Sequence, residues 1–271
     1  MHSGALKRAV FALYAVGFLV FLAWEVADVM ASYRSAGKVV SVNLTRNTFS
    51  LLDFRPAKGS PRAILLFASG DGGWSELEET VSLALQSHGY EVIGINSNAY
   101  AETDYDLATL QADYDRIVQK AETRYGNQPS PVILAGWSMG AAQVIAAAGG
   151  PHPPRDVAGL LLLDPCSRGR YGLRLLDRSD FLPTGPGTFG VDEFARTMGD
   201  LHVVQWHAAE DSIDSRTWLA SLTAPHKEFD FENTGHYYSN DRPDFLARMI
   251  GSIPWILTRE DHTATAAGGT R

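Results

Sequence analysis

Cysteine is nearly absent from this chain: Cys166 is the only one in 271 residues. A single thiol cannot close an intrachain disulfide and excludes any metal centre built on several cysteines. The motif His-Glu-x-x-His does not occur either, which removes the familiar helical zinc site. Positive charge is also scarce. With 23 Lys and Arg against 31 Asp and Glu the net charge is −8, and no basic stripe interrupts it. That balance argues against a nucleic-acid partner and offers no steering towards an anionic membrane surface. What remains is an ordinary globular composition, 45% hydrophobic and 20% charged, long enough for one large α/β domain or two small ones.

One segment stands apart. Ala9 to Trp24 is a run of 16 residues without a charge, preceded by Lys7 and Arg8 and followed by Glu25 and Asp28. A bilayer core takes about 20 apolar residues, so the run is slightly short unless Val26, Ala27, Val29 and Met30 extend it. Positive charge before and negative charge after favour the amino terminus inside and the body outside. The segment reads as an uncleaved transmembrane anchor within residues 1–31. The rival is a secretory signal peptide cleaved near Val29-Met30-Ala31, and both imply an exported body.

Downstream, Val39–Leu44 and Thr48–Phe54 read as a hairpin around Thr45-Arg46-Asn47. The pattern then alternates. Strands are expected at Ala63–Ala68, Glu91–Ile95, from Val132, and at Gly159–Leu163, His202–Trp206 and Lys227–Phe231. Helices are expected at Leu77–Ser87, Asp106–Tyr125, after Gly140, and in a last segment with Pro243 in its first turn. Short apolar strands alternating with helices imply a mostly parallel sheet covered on both faces. The domain spans about residues 32–260. A long turn-rich stretch, about 166–198, reads as a lid-like insertion, and residues 261–271 as a disordered tail.

Chemistry enters at Gly136-Trp137-Ser138-Met139-Gly140, which lies between the apolar run Val132–Ala135 and the small-residue helix Ala141–Ala148. Strand, sharp turn and helix in that order make a nucleophile elbow, where glycines two positions either side of the serine avoid backbone collision. A serine hydroxyl needs a base, and the base needs a carboxylate to orient it, in chain order serine, acid, histidine. Asp211, after the strand ending near Trp206, is the expected acid. His236, after the last strand, is the expected base, because it alone of eight histidines combines a loop at the correct sheet edge with a preceding glycine. Glu210 and Asp214, one turn away, and Asp164, which ends a strand and also suits a simple Asp-Pro turn, are alternative acids. Oxyanion donors are expected from the Met139 amide and from the loop Ser69-Gly70-Asp71-Gly72-Gly73-Trp74, at Asp71 and then Gly72. That loop lacks G-x-G-x-x-G, so no dinucleotide cofactor is expected, and the site implies no metal. Trp74, Trp137 and Tyr237 flank the site as candidate walls of an apolar substrate pocket.

Four stretches together, Ser69–Trp74, Gly94-Ile95-Asn96-Ser97, Asp113-Tyr114 and Gly136–Ala141, resemble the VirJ/AcvB family of bacterial virulence proteins, which are α/β-hydrolases. The resemblance is strongest over about residues 63–145 and weaker to about 257. It implies an α/β-hydrolase fold and a periplasmic, membrane-associated serine hydrolase, with one branch cleaving aminoacylated phosphatidylglycerol. The glycine-rich loop, Ser138, Asp211 and His236 carry over as oxyanion site, nucleophile, acid and base. The elbow departs from the usual Gly-Tyr-Ser-Phe-Gly-Ala-Asp at Trp137, Met139 and Ala142, so Ala142 supplies no carboxylate for a cationic aminoacyl group. The combined expectation is an exported ester hydrolase anchored in the inner membrane. Its partners would be a lipid or small-molecule ester and the bilayer. A generic lipase or esterase, or a non-catalytic protein of the same fold that binds a lipid or partner, are the alternatives.

Overall fold

The computed structural model describes residues 35–123, 130–174, 182–213 and 216–258. The chain divides into two units, Met1–Ala36 and Gly37–Arg271, and all the architecture described belongs to the second. The apolar segment Ala9–Trp24, Asp214 and the tail 261–271 lie outside the described residues. Among those described, no helix is long and apolar enough to cross a membrane.

The frame is an eight-stranded sheet in the order β1-β2-β4-β3-β5-β6-β9-β10. β1 (Lys38–Asn43) and β2 (Thr48–Phe54) form the expected hairpin, and β2 joins β4 (Glu91–Ile95) antiparallel. From β4 the pairing is parallel through β3 (Ile64–Ala68), β5 (Val132–Trp137), β6 (Val157–Leu163), β9 (His202–Ala208) and β10 (His226–Phe231). Sequence periodicity follows from exposure. Early in β2, exposed Thr48 and Ser50 alternate with buried Phe49 and Leu51, whereas every residue of β3 and β5 is buried.

Successive side chains of the central strands supply two separate cores. Ile64, Leu66, Val132, Leu134, Leu160 and Leu162 face one layer, and Leu65, Phe67, Ile133, Trp137, Leu161 and Leu163 face the other. The first layer is closed by helices carrying Leu110, Tyr114, Ile117 and Val118, and Ala141 to Ala148. The second is closed by Leu77, Val81 and Leu85 and by Phe245, Met249 and Ile253. These helices are α1 (Glu76–Ser87), α3 (Leu107–Glu122), α4 (Met139–Gly149) and α5 (Arg242–Ile256). A short α2 (Ser97–Tyr100), unforeseen in the sequence, turns the chain after β4. Asp106 caps α3, accepting the Thr109 amide at 2.7 Å, so the helix starts one residue later than expected and ends at Glu122, before Tyr125.

The lid-like insertion divides in two. β7 (Arg168–Arg170) pairs antiparallel with β8 (Thr188–Gly190), and Arg170 holds the carbonyls of Thr184 and Pro186. From β8 onward the chain is core: Phe189, Val191, Phe194, Ala195 and Met198 are buried in the layer that also holds α4. Gly185-Pro186-Gly187-Thr188-Phe189-Gly190 has the G-x-G-x-x-G spacing but runs into the hairpin strand β8, not from a strand into a helix.

Close backbone approach at the elbow makes a sharp prediction. A Cβ on Gly140 would lie 2.3 Å from Ala68 O and 2.4 Å from Ser69 O, while one on Gly72 would meet nothing within 4 Å. Gly140→Ala is expected to lose about 1–3 kcal/mol or more in urea unfolding, from forced backbone shift. Gly72→Ala is expected to stay within about 0.5 kcal/mol of wild type, as an exposed change without a clash.

Candidate active site

Ser138 sits between β5 and α4 with φ 55 and ψ −121, a positive φ that is uncommon for a residue with a side chain. Such strain costs on the order of 1–3 kcal/mol and persists only where surrounding packing enforces it. The enforcement is visible. A Cβ on Gly136 would lie 2.6 Å from the Ala141 amide and from Gly140, so both elbow glycines are demanded by backbone contact. The Ser138 amide donates to Leu163 O at the end of β6, and its hydroxyl lies 3.5 Å from Cys166 Sγ. Cys166, notable in the sequence only for being alone, is thus a neighbour of the candidate nucleophile.

Asp211 and His236 come together as expected, from the turns after β9 and β10. His236 Nδ1 and Asp211 Oδ2 are 2.5 Å apart, and the Asp211 side chain is 3% exposed. Asp211 Oδ1 accepts the Ile213 amide, which fixes the carboxylate from its other side. The two turns are tied together, since the Ala209 and Glu210 amides donate to Phe231 O and Thr234 O. Glu210, the neighbouring alternative, is exposed. Burial by itself pushes the His236 imidazole down, but the hydrogen bond and charge of Asp211, with smaller contributions from Asp164 and Asp71, reverse the balance. The net direction is up.

Trp137 joins the elbow to this pair. Its indole N–H donates to His236 O at 3.0 Å and its ring stands 4.9 Å from the imidazole. Tyr237, 59% exposed, packs on the same indole at 5.1 Å. Trp137 and Tyr237 therefore form one aromatic wall beside His236. Trp74 does not join it. Its ring packs between Phe54 and Phe67 and its indole N–H bonds Glu79, so its place is in the second core layer, where it ties the glycine-rich loop to the sheet.

That loop lies beside the elbow, because a Cβ on Gly70 would fall 2.9 Å from the Trp137 ring. Several of its amides already have partners: Ser69 bonds Ile95 O, Gly70 bonds Glu78 and Gly73 bonds Gly70 O. Asn98 from α2 donates to Asp71 O, and the Ser69 hydroxyl accepts the Ser97 amide. Glu78 is the organiser that the sequence reading missed. Wholly buried, it accepts from the Gly70 and Ser75 amides at 3.1 and 3.0 Å. Burial pushes its carboxyl up, and these hydrogen bonds oppose that. The signal was present as Ser75-x-x-Glu78 before an apolar helix, a capping box whose acid also reaches the loop.

Asp164, the alternative acid, ends β6 in a left-handed conformation and is fully buried. One side-chain atom from each of Asp164, Asp211 and His236 lies within 4.8 Å of the others. Among the described residues this is the one cluster of metal-ligand type. Its histidine Nδ1 and Asp211 Oδ2 are already bonded to each other, which is the arrangement of an oriented base and not of an open ligand cage.

Removing the organiser of the loop tests its importance. Glu78→Ala is expected to lower stability by about 1–3 kcal/mol for each buried amide left unpaired, read by chemical denaturation. Glu78→Gln, which keeps one acceptor oxygen and the side-chain volume, is expected to lose clearly less.

With this geometry in place, the likenesses to known proteins are coherent. The family model described as bacterial virulence protein (VirJ) matches residues 62–162, which includes the glycine-rich loop and the elbow. No curated protein matches by sequence. Among solved structures, the chain is similar to the esterase domain of a Rhodothermus marinus protein, with TM-score 0.57 and 20% identity, covering 80% of this chain and 96% of that one. It is similar to an alpha-beta serine hydrolase homologue from Coxiella burnetii, with TM-score 0.58 and 11% identity over 82% and 99% of the chains. It is similar also to a soluble variant of monoglyceride lipase from Saccharomyces cerevisiae, solved with a substrate analogue, with TM-score 0.59 and 16% identity over 84% and 99%. At these identities the shared property is the fold. Residues 62–162 are thus similar to the VirJ family of bacterial virulence proteins, and the chain that carries them has an α/β-hydrolase fold.

Proposed function

We propose that this protein is a serine hydrolase that cleaves carboxylic esters through an acyl-enzyme. The observation that carries the proposal is the strained Ser138 at the head of α4, on the same sheet edge as the 2.5 Å His236–Asp211 pair. With Nδ1 bonded to Asp211, Nε2 is the imidazole nitrogen left to serve the serine. Ser138 Oγ attacks the ester carbonyl carbon as Nε2 takes its proton. The tetrahedral oxyanion is held by the Met139 amide and by amides of Asp71 and Gly72, a contribution of about 3–4 kcal/mol per donor in comparable sites. The intermediate collapses, the carbon–oxygen bond to the leaving group breaks, and Nε2 returns the proton to the departing alcohol. Water then repeats the cycle on the acyl-Ser138 ester, releasing the acid and restoring the serine.

For substrate, we propose the ester of an aminoacylated phospholipid, as the resemblance of the loop and elbow residues to the VirJ/AcvB family implies, with Trp137 and Tyr237 as an aromatic wall for an apolar part of it. For location, we propose an exported domain tethered at the inner membrane by the apolar segment Ala9–Trp24, which would hold the site near its lipid.

Two experiments test the chemistry. A fluorophosphonate probe is expected to label wild-type protein and not Ser138→Ala, and a folded wild-type protein that resists labelling would leave only a binding role. Because the imidazole must be neutral to accept a proton and its pKa is raised, kcat/KM for a simple ester should fall on the acid side with a midpoint above about 6.5, the ordinary histidine value. A midpoint below that value would contradict the Asp211–His236 assignment. Comparison of lipid extracts with active and Ser138→Ala protein should show one aminoacylated species that disappears only with the former.

A further inference from the structure

We propose that Asp164 is a second orienting carboxylate, a positioning residue that acts on His236 together with Asp211. The role rests on the hydrolase reading above, but the geometry behind it is independent of substrate. Asp164 is fully buried at the end of β6, and its Oδ1 accepts the Ala208 amide at 2.8 Å. Ala208 in turn accepts the Asp211 amide at 2.9 Å, so Asp164 grips the turn that presents Asp211. The Asp164 amide donates to Trp206 O, which locks β6 to β9 at the same point. Its carboxylate is also part of the trio of side chains gathered within 4.8 Å.

A buried carboxylate this close to an imidazole does more than brace a turn. As His236 takes the serine proton it becomes a cation, and a second negative charge nearby stabilises that cation. The charged groups facing His236 are Asp211 from the turn after β9, Asp164 from the end of β6 and, more weakly, Asp71 from the loop after β3. The Tyr237 phenol ring lies 5.8 Å from the imidazole, and the Trp137 indole closes another side without a charge. A turn-bracing role alone would be kept by asparagine, whose side-chain oxygen can still accept from Ala208. The charge would be lost. That difference separates the two roles.

The test is the titration of the His236 ring in the full chain, followed by its Cε1–H resonance in wild type and in Asp164→Asn. The midpoint is expected to fall by about 0.5–1 pH unit in the variant, the size of one unit charge a few ångströms away in a high effective dielectric. An unchanged or raised midpoint in folded Asp164→Asn overturns the proposal and leaves Asp164 as a brace. If that variant does not fold, Asp211→Asn carries the test through the rate of fluorophosphonate labelling. With Asp164 still in place the loss should be about 10–100-fold, not the roughly 10⁴-fold seen when a sole orienting acid is neutralised. A loss near 10⁴-fold in folded protein overturns the proposal. Wild-type protein that is not labelled at all would sink the hydrolase reading while leaving the titration result standing.

Discussion

The first turn of α4 rests directly on the carbonyls of Ala68 and Ser69 that end β3, and the candidate site depends on how tightly it does so. There is no room for a Cβ at Gly140, nor at Gly136 where the strand turns under the helix. With both ends of the turn pinned, Ser138 is left in a positive φ that it would not choose. The same contact explains why α4 is made largely of alanine and glycine and is buried along its whole length. A helix with large side chains could not approach the sheet so closely. Because β3 and β5 are neighbours in parallel register, the loop leaving β3 necessarily emerges beside the elbow, with Gly70 against Trp137. Strain at the serine and the nearness of the glycine-rich loop are two results of one packing constraint.

Around that rigid centre the site is organised by buried carboxylates. Glu78 gathers the amides of Gly70 and Ser75, Asp164 gathers that of Ala208, and Asp211 takes the Ile213 amide and the imidazole. Each arrives from a different element, and each converts a loop at one edge of the sheet into a fixed arrangement. A carboxylate can accept several donors at once, which suits it to tying amides that have no secondary-structure partner. The charge of Asp211, with smaller contributions from Asp164 and Asp71, also has a consequence for His236, which is held towards its protonated form despite burial. The overall deficit of basic residues thus has a local counterpart, since Asp211, Asp164 and Asp71 all act on one histidine.

Much of this was legible in the chain. The strand at Glu91–Ile95 and the hairpin strand Thr48–Phe54 matched their expected limits, because burial pattern and bounding turns both point the same way there. The elbow was legible because its chemistry is local: strand, glycine, serine, glycine and helix are consecutive. The Asp211–His236 pairing was legible through chain order at the strand ends. Less accessible were features whose cause lies across the fold. α2 is only four residues long and shows no periodicity. Trp74 looks like a pocket residue from its position, but Phe54 and Phe67 from other strands claim its ring. The stretch from β8 onward looks like a lid because it is rich in turns, yet Phe189, Phe194 and Met198 find their place in the core.

Sequence by itself determined the alternation of strands and helices, the position of the strained serine and the family signature of the glycine-rich loop. These depend on steric and hydrophobic preferences that repeat over a few residues. Tertiary structure alone decided that Asp164 stands with Asp211 beside one histidine, that Glu78 holds the loop, and that Cys166 faces Ser138. Hydrogen bonds and charge act over a few ångströms, and only the register of β6 against β9 and β5 brings residues so far apart in the chain within that range.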